Sequence, residues 1–134
     1  DKSDIKLDNE TISSSSDLSY KNILDSTVNQ LNEYFSGNRE EFNLPFDLLG
    51  TEFQIKVWLE LQSITFGETT TYGAIASGIG HPHASRAVGG ALNKNPISIV
   101  LPCHRVIGAN GLLTGYGGGM ERKIWLLEHE QGKA

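Results

Sequence analysis

Cysteine is nearly absent from this sequence of 134 residues, because Cys103 is the only one. A single cysteine cannot form an internal disulfide, and without a second thiol or an HxxxH pair of histidines the sequence shows no structural zinc pattern. Apolar runs stay well below the roughly 18 residues that suggest a membrane span, and the start of the chain carries no signal sequence. We therefore expect a cytoplasmic protein with no membrane partner and no metal.

Acidic residues are missing from a long stretch in the second half of the chain. The net charge is −5, but residues 69–120 contain no Asp or Glu while they keep Arg86, Lys94 and Arg105. A surface without acidic groups can be approached by an anion such as a nucleic-acid phosphate. A glycine-rich loop region that is poor in charge of either sign has the same composition. Charge alone does not separate these two interpretations.

The first part of the chain predicts one helix and a connector. Apolar residues recur at helical spacing from Asp17 until Gly37, a residue type that commonly ends helices. The segment that follows contains Pro45 and predicts a connector with one apolar side. We expect residues 1–49 to form a reduced N-terminal domain with its linker, and residues 50–134 to form the main domain.

Four helices are predicted in the main domain. Thr51 and Gln54 form a capping-box pattern, which places a helix at about 52–62. The stretches "TTYGAIASGIG" and "HASRAVGGALNKN", separated by a short break, predict a helix-turn-helix. A last helix is expected from about Met120 to Glu130, with Ile124 and Leu127 directed inward and Trp125 contributing to that face.

Two adjacent glycines, Gly89 and Gly90, break a local rule inside the second helix of that pair. Each weakens a helix by about 1 kcal/mol relative to alanine, so something must approach the backbone closely if the segment is helical. Together with Ala87 and Ala91 they leave one face almost free of side chains. Close packing against another helix, which this stretch alone slightly favours, and insertion into a narrow groove both remain open.

The lone cysteine follows "ISIVL", residues 97–101, which predicts a short buried strand. A thiol reacts as its thiolate, and His104 is a candidate base that would reach Cys103 across a turn or through a water. Glu130 is a candidate partner for His104, because a carboxylate in the last turn of a helix requires compensation. Without further context, a lone Cys-His pair is more often structural than catalytic.

The motifs around this cysteine form a recognisable series: "RAVGGALNKNP", "PCHRVIG", "GYGGG" and "WLLEHE". In this order and spacing they resemble the O6-alkylguanine-DNA alkyltransferase family over about residues 50–131. The resemblance implies an α+β fold, with a mainly helical, winged helix-turn-helix-like C-terminal domain. It implies a monomeric enzyme that transfers the alkyl group of O6-alkylguanine, and of O4-alkylthymine, from double-stranded DNA to Cys103. Base flipping and an irreversible single turnover, with no cofactor, belong to the same expectation. So does association with the nucleoid if the protein is bacterial.

The resemblance also implies catalytic roles. Cys103 accepts the alkyl group, while His104 acts through a water as the base and Glu130 orients it. Asn95 holds the turn before the cysteine, and Tyr72 turns the target phosphate and protonates the leaving guanine.

Further positions are implied to contact the DNA and the guanine. Arg86 enters the base stack in place of the flipped base. The other DNA-binding residues are Tyr72, Ala87, Gly89, Gly90 and Ala91. The guanine pocket is formed by Leu92, Pro96, Val106, Tyr116 and Gly117. Gly117 stands where some members have a serine, which implies a more open pocket.

Three other functional classes fit the sequence less well. An alkyltransferase-like protein would flag damaged bases without repairing them, but such proteins lack the cysteine that this chain keeps. A transcriptional regulator controlled by methylation would have a second DNA-binding domain or a second cysteine. A cysteine hydrolase would not need a helix-turn-helix.

Overall fold

Helices make up most of the secondary structure in the computed structural model, which describes residues 15–113, 116 and 118–132. The chain divides into two units, one ending at Asp47 and the other beginning at Leu48. The helices are accompanied by a two-stranded parallel sheet, so the predicted α+β class is confirmed. No helix in these described residues is long and apolar enough to cross a membrane.

The described residues of the first unit form one helix and the connector after it. Helix α1 (Ser15–Phe35) is followed by Gly37, whose φ of 85° is a left-handed conformation that glycine adopts without strain. The side-chain amide of Gln30 donates to the carbonyl of Asn43 (3.0 Å) and accepts from its N–H (2.9 Å). This pair of hydrogen bonds holds the connector against the helix.

Over its described residues, 48–113, 116 and 118–132, the second unit contains four helices, two 3-10 turns and both strands. In chain order these are α2 (Glu52–Glu60), a first 3-10 turn (Leu61–Ser63), β1 (Thr70–Thr71), α3 (Tyr72–Gly78), α4 (Ser85–Leu92), a second 3-10 turn (Cys103–Arg105), β2 (Val106–Ile107) and α5 (Met120–Glu130).

The capping box predicted at the start of α2 is confirmed. The Thr51 hydroxyl accepts from the N–H of Gln54, and the Gln54 side chain accepts from the N–H of Thr51, both at 3.0 Å. On the buried side of α2, the indole N–H of Trp58 donates to the carbonyl of Ala91 at 2.8 Å. This bond ties α2 to α4.

A helix-turn-helix is formed by α3 and α4, as predicted. The chain turns between them at Gly80, which has a φ of 82°, and the N–H of His81 closes the end of α3 on the carbonyl of Ala76. Just before α3, β1 pairs in parallel with β2, with Thr71 opposite Ile107. This pairing places the start of α3 next to β2, the strand that follows the 3-10 turn at Cys103–Arg105.

The strand predicted for residues 97–101 is wrong. The segment is a tight turn in which the N–H of Leu101 donates to the carbonyl of Ile97, and Ile99 has a φ of 76°. The amide of Asn95 accepts from the N–H of Ile97 (2.9 Å) and donates to the carbonyl of Leu101 (2.8 Å). These side-chain bonds replace the ladder partners that a strand requires, and they outweigh the β propensity of the branched residues.

Helix α5 has the predicted bounds, and Leu127 is buried as predicted, but Ile124 is not directed inward. Ile124 is 37% exposed, whereas Lys123 is 1% exposed. Lys123 can be buried because its Nζ donates to the carbonyl of Val106 at 2.7 Å, which satisfies the polar group in the interior. The apolar contacts of this face come from Leu126 and Leu127.

Candidate active site

Cys103 lies at the start of the second 3-10 turn with its thiol buried. Burial raises the pKa of this thiol, while side-chain hydrogen bonds from Asn95, Tyr116 and Ser98 act in the opposite direction. The resting sulfur is therefore protonated at neutral pH. The three polar side chains already surround it, so donors are in place for a thiolate once the proton leaves.

His104 is fully buried beside the cysteine, and its ring is oriented by Glu130. The Nε2 atom lies 2.6 Å from Oε2 of Glu130. Since an ionised carboxylate only accepts, Nε2 carries the hydrogen and Nδ1 keeps the lone pair of the neutral ring. Among the described residues Nδ1 has no hydrogen-bond partner. The free lone pair can accept a proton.

The protonation of His104 is governed by opposing effects. Burial lowers the pKa of the imidazole; the hydrogen bond and charge of Glu130 raise it, and the charges of Arg105 and Lys123 lower it again. The net direction is downward, so the ring is neutral at neutral pH. This is the state that a general base requires.

Arg105 is a buried member of this site that sequence reasoning missed. Its Nε and Nη2 donate to Oε1 and Oε2 of Glu130 at 2.8 and 2.9 Å, and its Nη1 donates to the carbonyl of Ile64 at 2.6 Å. The sequence indicates Arg105 only as one of the cations in residues 69–120, the stretch without Asp or Glu. The available signal was its position next to His104, because the carboxylate of Glu130 required a compensating charge from nearby.

Lys123 is a second buried base that the sequence did not indicate. Burial lowers the pKa of its ammonium group, and the charge of Cys103 raises it. Its Nζ reaches the carbonyl of Val106, three residues after the cysteine. No signal distinguished it, because a lysine within "MERK" has the pattern of a solvent-exposed helix face.

The residues predicted to form the guanine pocket have different environments. Leu92 and Val106 are buried, Pro96 is exposed, and Tyr116 is half-buried. Burial raises the pKa of the Tyr116 phenol to about 12, so the hydroxyl keeps its proton and can donate. Gly117 lies outside the described residues.

The outer face of α4 is nearly free of large side chains. Arg86, Ala87 and Gly90 are exposed, and Arg86 is the one charged side chain of this helix. Ala91 is buried and its carbonyl accepts from the indole of α2, so it cannot belong to an exposed surface. The predicted face therefore loses Ala91 and keeps the other small residues.

Packing within the chain does not account for the two glycines. A Cβ added at Gly89 would meet only the ring of Tyr72, at the ordinary contact distance of 3.8 Å. A Cβ added at Gly90 would meet no atom within 4 Å in the described part of the chain. Close helix packing, the interpretation that the sequence slightly favoured, is therefore not the reason for Gly90.

Models of known protein families match both parts of this chain. The model described as "6-O-methylguanine DNA methyltransferase, DNA binding domain" matches residues 52–132. The chain belongs to this methyltransferase family. The model described as "6-O-methylguanine DNA methyltransferase, ribonuclease-like domain" matches residues 3–48 of the same family member. The family inferred from the motifs around the cysteine is confirmed.

Individual methyltransferases are also similar to this family member. The methylated-DNA–protein-cysteine methyltransferase of Mycobacterium tuberculosis is 58% identical over 107 residues, which are 80% of this chain and 65% of that protein. The chain thus spans slightly less than two thirds of that relative's length.

Two solved structures share the fold. The crystal structure of Mycobacterium tuberculosis OGT in complex with DNA has a TM-score of 0.80 at 56% identity, covering 82% of this chain and 68% of that one. The structure of S. pombe Atl1 with damaged DNA containing O6-carboxymethylguanine has a TM-score of 0.54 at 34% identity, covering 62% and 79%.

Proposed function

We propose that this protein repairs DNA by accepting the alkyl group of O6-alkylguanine on Cys103. The observation that carries the proposal is a buried thiol next to a neutral imidazole, whose Nδ1 is available and whose Nε2 is held by Glu130. Similarity to methylated-DNA–protein-cysteine methyltransferases supports the choice of substrate.

The proposed chemistry is a displacement at carbon by sulfur. The proton of the Cys103 thiol passes through a water to Nδ1 of His104, and Glu130 stabilises the imidazolium that forms. The sulfur then bonds to the alkyl carbon while the bond from that carbon to O6 breaks. The electron pair leaves with the guanine, which takes up one proton from the site. The product thioether has no hydrolysable bond, so each molecule reacts once and needs no cofactor.

Proton transfer makes the thiol reactive only within the assembled site. Because the resting thiol is protonated, it is a poor nucleophile until His104 takes its proton. The hydrogen bonds from Asn95, Tyr116 and Ser98 stabilise the sulfur as negative charge develops on it. Asn95 has a second role in this scheme, since its amide holds the turn that precedes the cysteine.

DNA binding is assigned to the outer face of α4. The minor groove presents a nearly degenerate pattern, so a repair protein that must ignore sequence can lay a small-residue helix there. The open space beyond Gly90, together with exposed Arg86 and Ala87, fits such an approach. The exposed cations Arg86 and Lys94 favour the anion-binding interpretation of the acid-free stretch.

Base flipping follows from the position of the target atom. O6 of guanine lies inside the duplex, so the nucleotide has to be extruded at a free-energy cost of a few kcal/mol. Arg86 would offset part of this cost by filling the stack. Tyr72, delivered by the β1–β2 pairing, would turn the phosphate and protonate the leaving guanine. Leu92, Pro96, Val106 and Tyr116 would line the pocket for guanine and, as a second substrate, O4-alkylthymine.

The decisive experiment mixes the protein with duplex DNA that contains O6-methylguanine and measures the mass of the Cys103 peptide. A stoichiometric gain of one CH2 on that peptide is expected, and Cys103→Ser should abolish the gain while it spares DNA binding. Binding without a mass gain would favour a damage-flagging protein instead. Labelling of another residue, or repeated turnover, would contradict the proposal.

A further inference from the structure

A buried cation next to the candidate base has no role in the mechanism above. Arg105 is 6% exposed, and its guanidinium is held in a fixed orientation by two bonds to Glu130 and one to the carbonyl of Ile64. The ring of Phe66 lies 5.8 Å from the guanidinium carbon. So complete an arrangement around a desolvated charge indicates a specific electrostatic task.

The carboxylate of Glu130 is shared between this arginine and the imidazole. Oε1 accepts from Nε of Arg105 at 2.8 Å, while Oε2 accepts both from Nη2 of Arg105 at 2.9 Å and from Nε2 of His104 at 2.6 Å. If Arg105 were absent, the whole negative charge would act on the imidazole. A carboxylate next to a histidine favours the protonated ring.

Among the described residues, three ionisable side chains act on the imidazole of His104, and Cys103 precedes it in the chain. Glu130 and Lys123 approach from α5, and Arg105 and Cys103 lie on its own turn. Glu130 favours the protonated ring, whereas Arg105 and Lys123 oppose it. When the thiol gives its proton to the imidazole, the total charge of this cluster does not change. When the imidazole takes a proton from solvent, the total charge rises by one, and Arg105 makes that uptake less favourable.

We propose that Arg105 is a positioning residue that keeps His104 neutral, and so able to act as a base, by taking a share of the Glu130 charge. Its effect on alkyl transfer rests on the proposed function, but its effect on the protonation of His104 does not. Arg105 itself touches neither the sulfur nor the proton that moves.

The first test follows the imidazole directly, by nitrogen NMR of His104 as a function of pH. In the wild-type protein, His104 should be neutral at neutral pH with its hydrogen on Nε2. In Arg105→Gln the ring should take up its proton at higher pH, and in Arg105→Lys, which keeps a cation, it should stay close to wild type. Arg39→Gln breaks the ion pair with Glu33 in the other unit and should change nothing. An unmoved titration in Arg105→Gln would refute the proposal.

The wild-type measurement protects the test against a variant that fails to fold. If His104 of the unaltered protein is already protonated at neutral pH, Arg105 does not keep it neutral, and the proposal is overturned without any substitution. Thermal unfolding of each variant establishes which of the NMR comparisons are made on folded protein.

The second test measures the rate of methyl transfer against pH. Arg105→Gln should slow transfer by about tenfold near pH 6, where the imidazole of the variant is already protonated, and by much less near pH 8, where it is still neutral. An equal loss at both values would indicate a purely structural arginine and would overturn the proposal. If the wild-type protein transfers no methyl group, the proposed function fails, and the NMR comparison still decides the role of Arg105.

Discussion

Replacing Gly90 by alanine should make the protein more stable and its DNA binding weaker at the same time. Gly90 lies inside α4, and a Cβ there would meet no described atom within 4 Å, so the substitution adds no clash to the folded chain. Alanine favours a helix interior over glycine by about 1 kcal/mol, which corresponds to roughly 4 °C in Tm for a chain of this size.

DNA binding should respond in the opposite direction. If the groove floor lies against the backbone of α4, the added methyl group of Gly90→Ala should weaken affinity by about tenfold, equal to ~1.4 kcal/mol. Gly90→Leu should weaken the DNA affinity further, while the protein remains folded. Ser77→Ala, on an exposed position of α3, is the matched control for helix stabilisation.

Calorimetry and a fluorescence binding titration separate the two effects. Higher Tm with unchanged DNA affinity would refute the groove argument for Gly90. A lower Tm would show that the backbone of α4 is packed against something else, which would refute the structural argument.

Three further predictions concern the flipping cation, acid stability and the α2–α4 contact. Arg86→Ala should slow methyl transfer more than it weakens DNA affinity, and equal losses in the two assays would contradict a role in flipping. Because burial lowers the pKa of His104 in the folded state, the unfolded chain binds the proton more readily. The free energy of unfolding should therefore fall as the pH drops below about 6.5, the ordinary pKa of an imidazole. Denaturant titrations that show no change in this free energy below that pH would contradict the prediction. Trp58→Phe should lower stability by about 1–3 kcal/mol, because the buried carbonyl of Ala91 loses its donor; an unchanged denaturation midpoint would refute it.

Local signals explain the parts of the fold that were predictable. The capping box at Thr51 and the bounds of α5 depend on residues within a few positions of each other, so their pattern is complete in the sequence. The link between Glu130 and His104 was predictable for a different reason, since a carboxylate at the end of a helix requires a partner.

The failures occurred where a hydrogen bond from a polar side chain supplied the deciding interaction. The branched residues of 97–101 are typical of a strand, but neither strand of the described residues pairs with them, and Asn95 bonds the segment into a turn instead. The burial of Lys123 was not predicted, because it depends on the carbonyl of Val106, which accepts from its Nζ. Neither partner can be read from periodicity, because periodicity records which faces are apolar and not which polar groups meet.

The amino-acid sequence by itself determined the family, the identity of the thiol and its histidine and glutamate partners, because these are carried by specific residue types in a fixed order. Only the tertiary structure decided how the thiol is surrounded, that Arg105 shares the charge of Glu130, and that Gly90 opens to the outside. Those features depend on contacts between segments far apart in the chain, and their energies arise from burial and distance, which a linear order of residues does not contain.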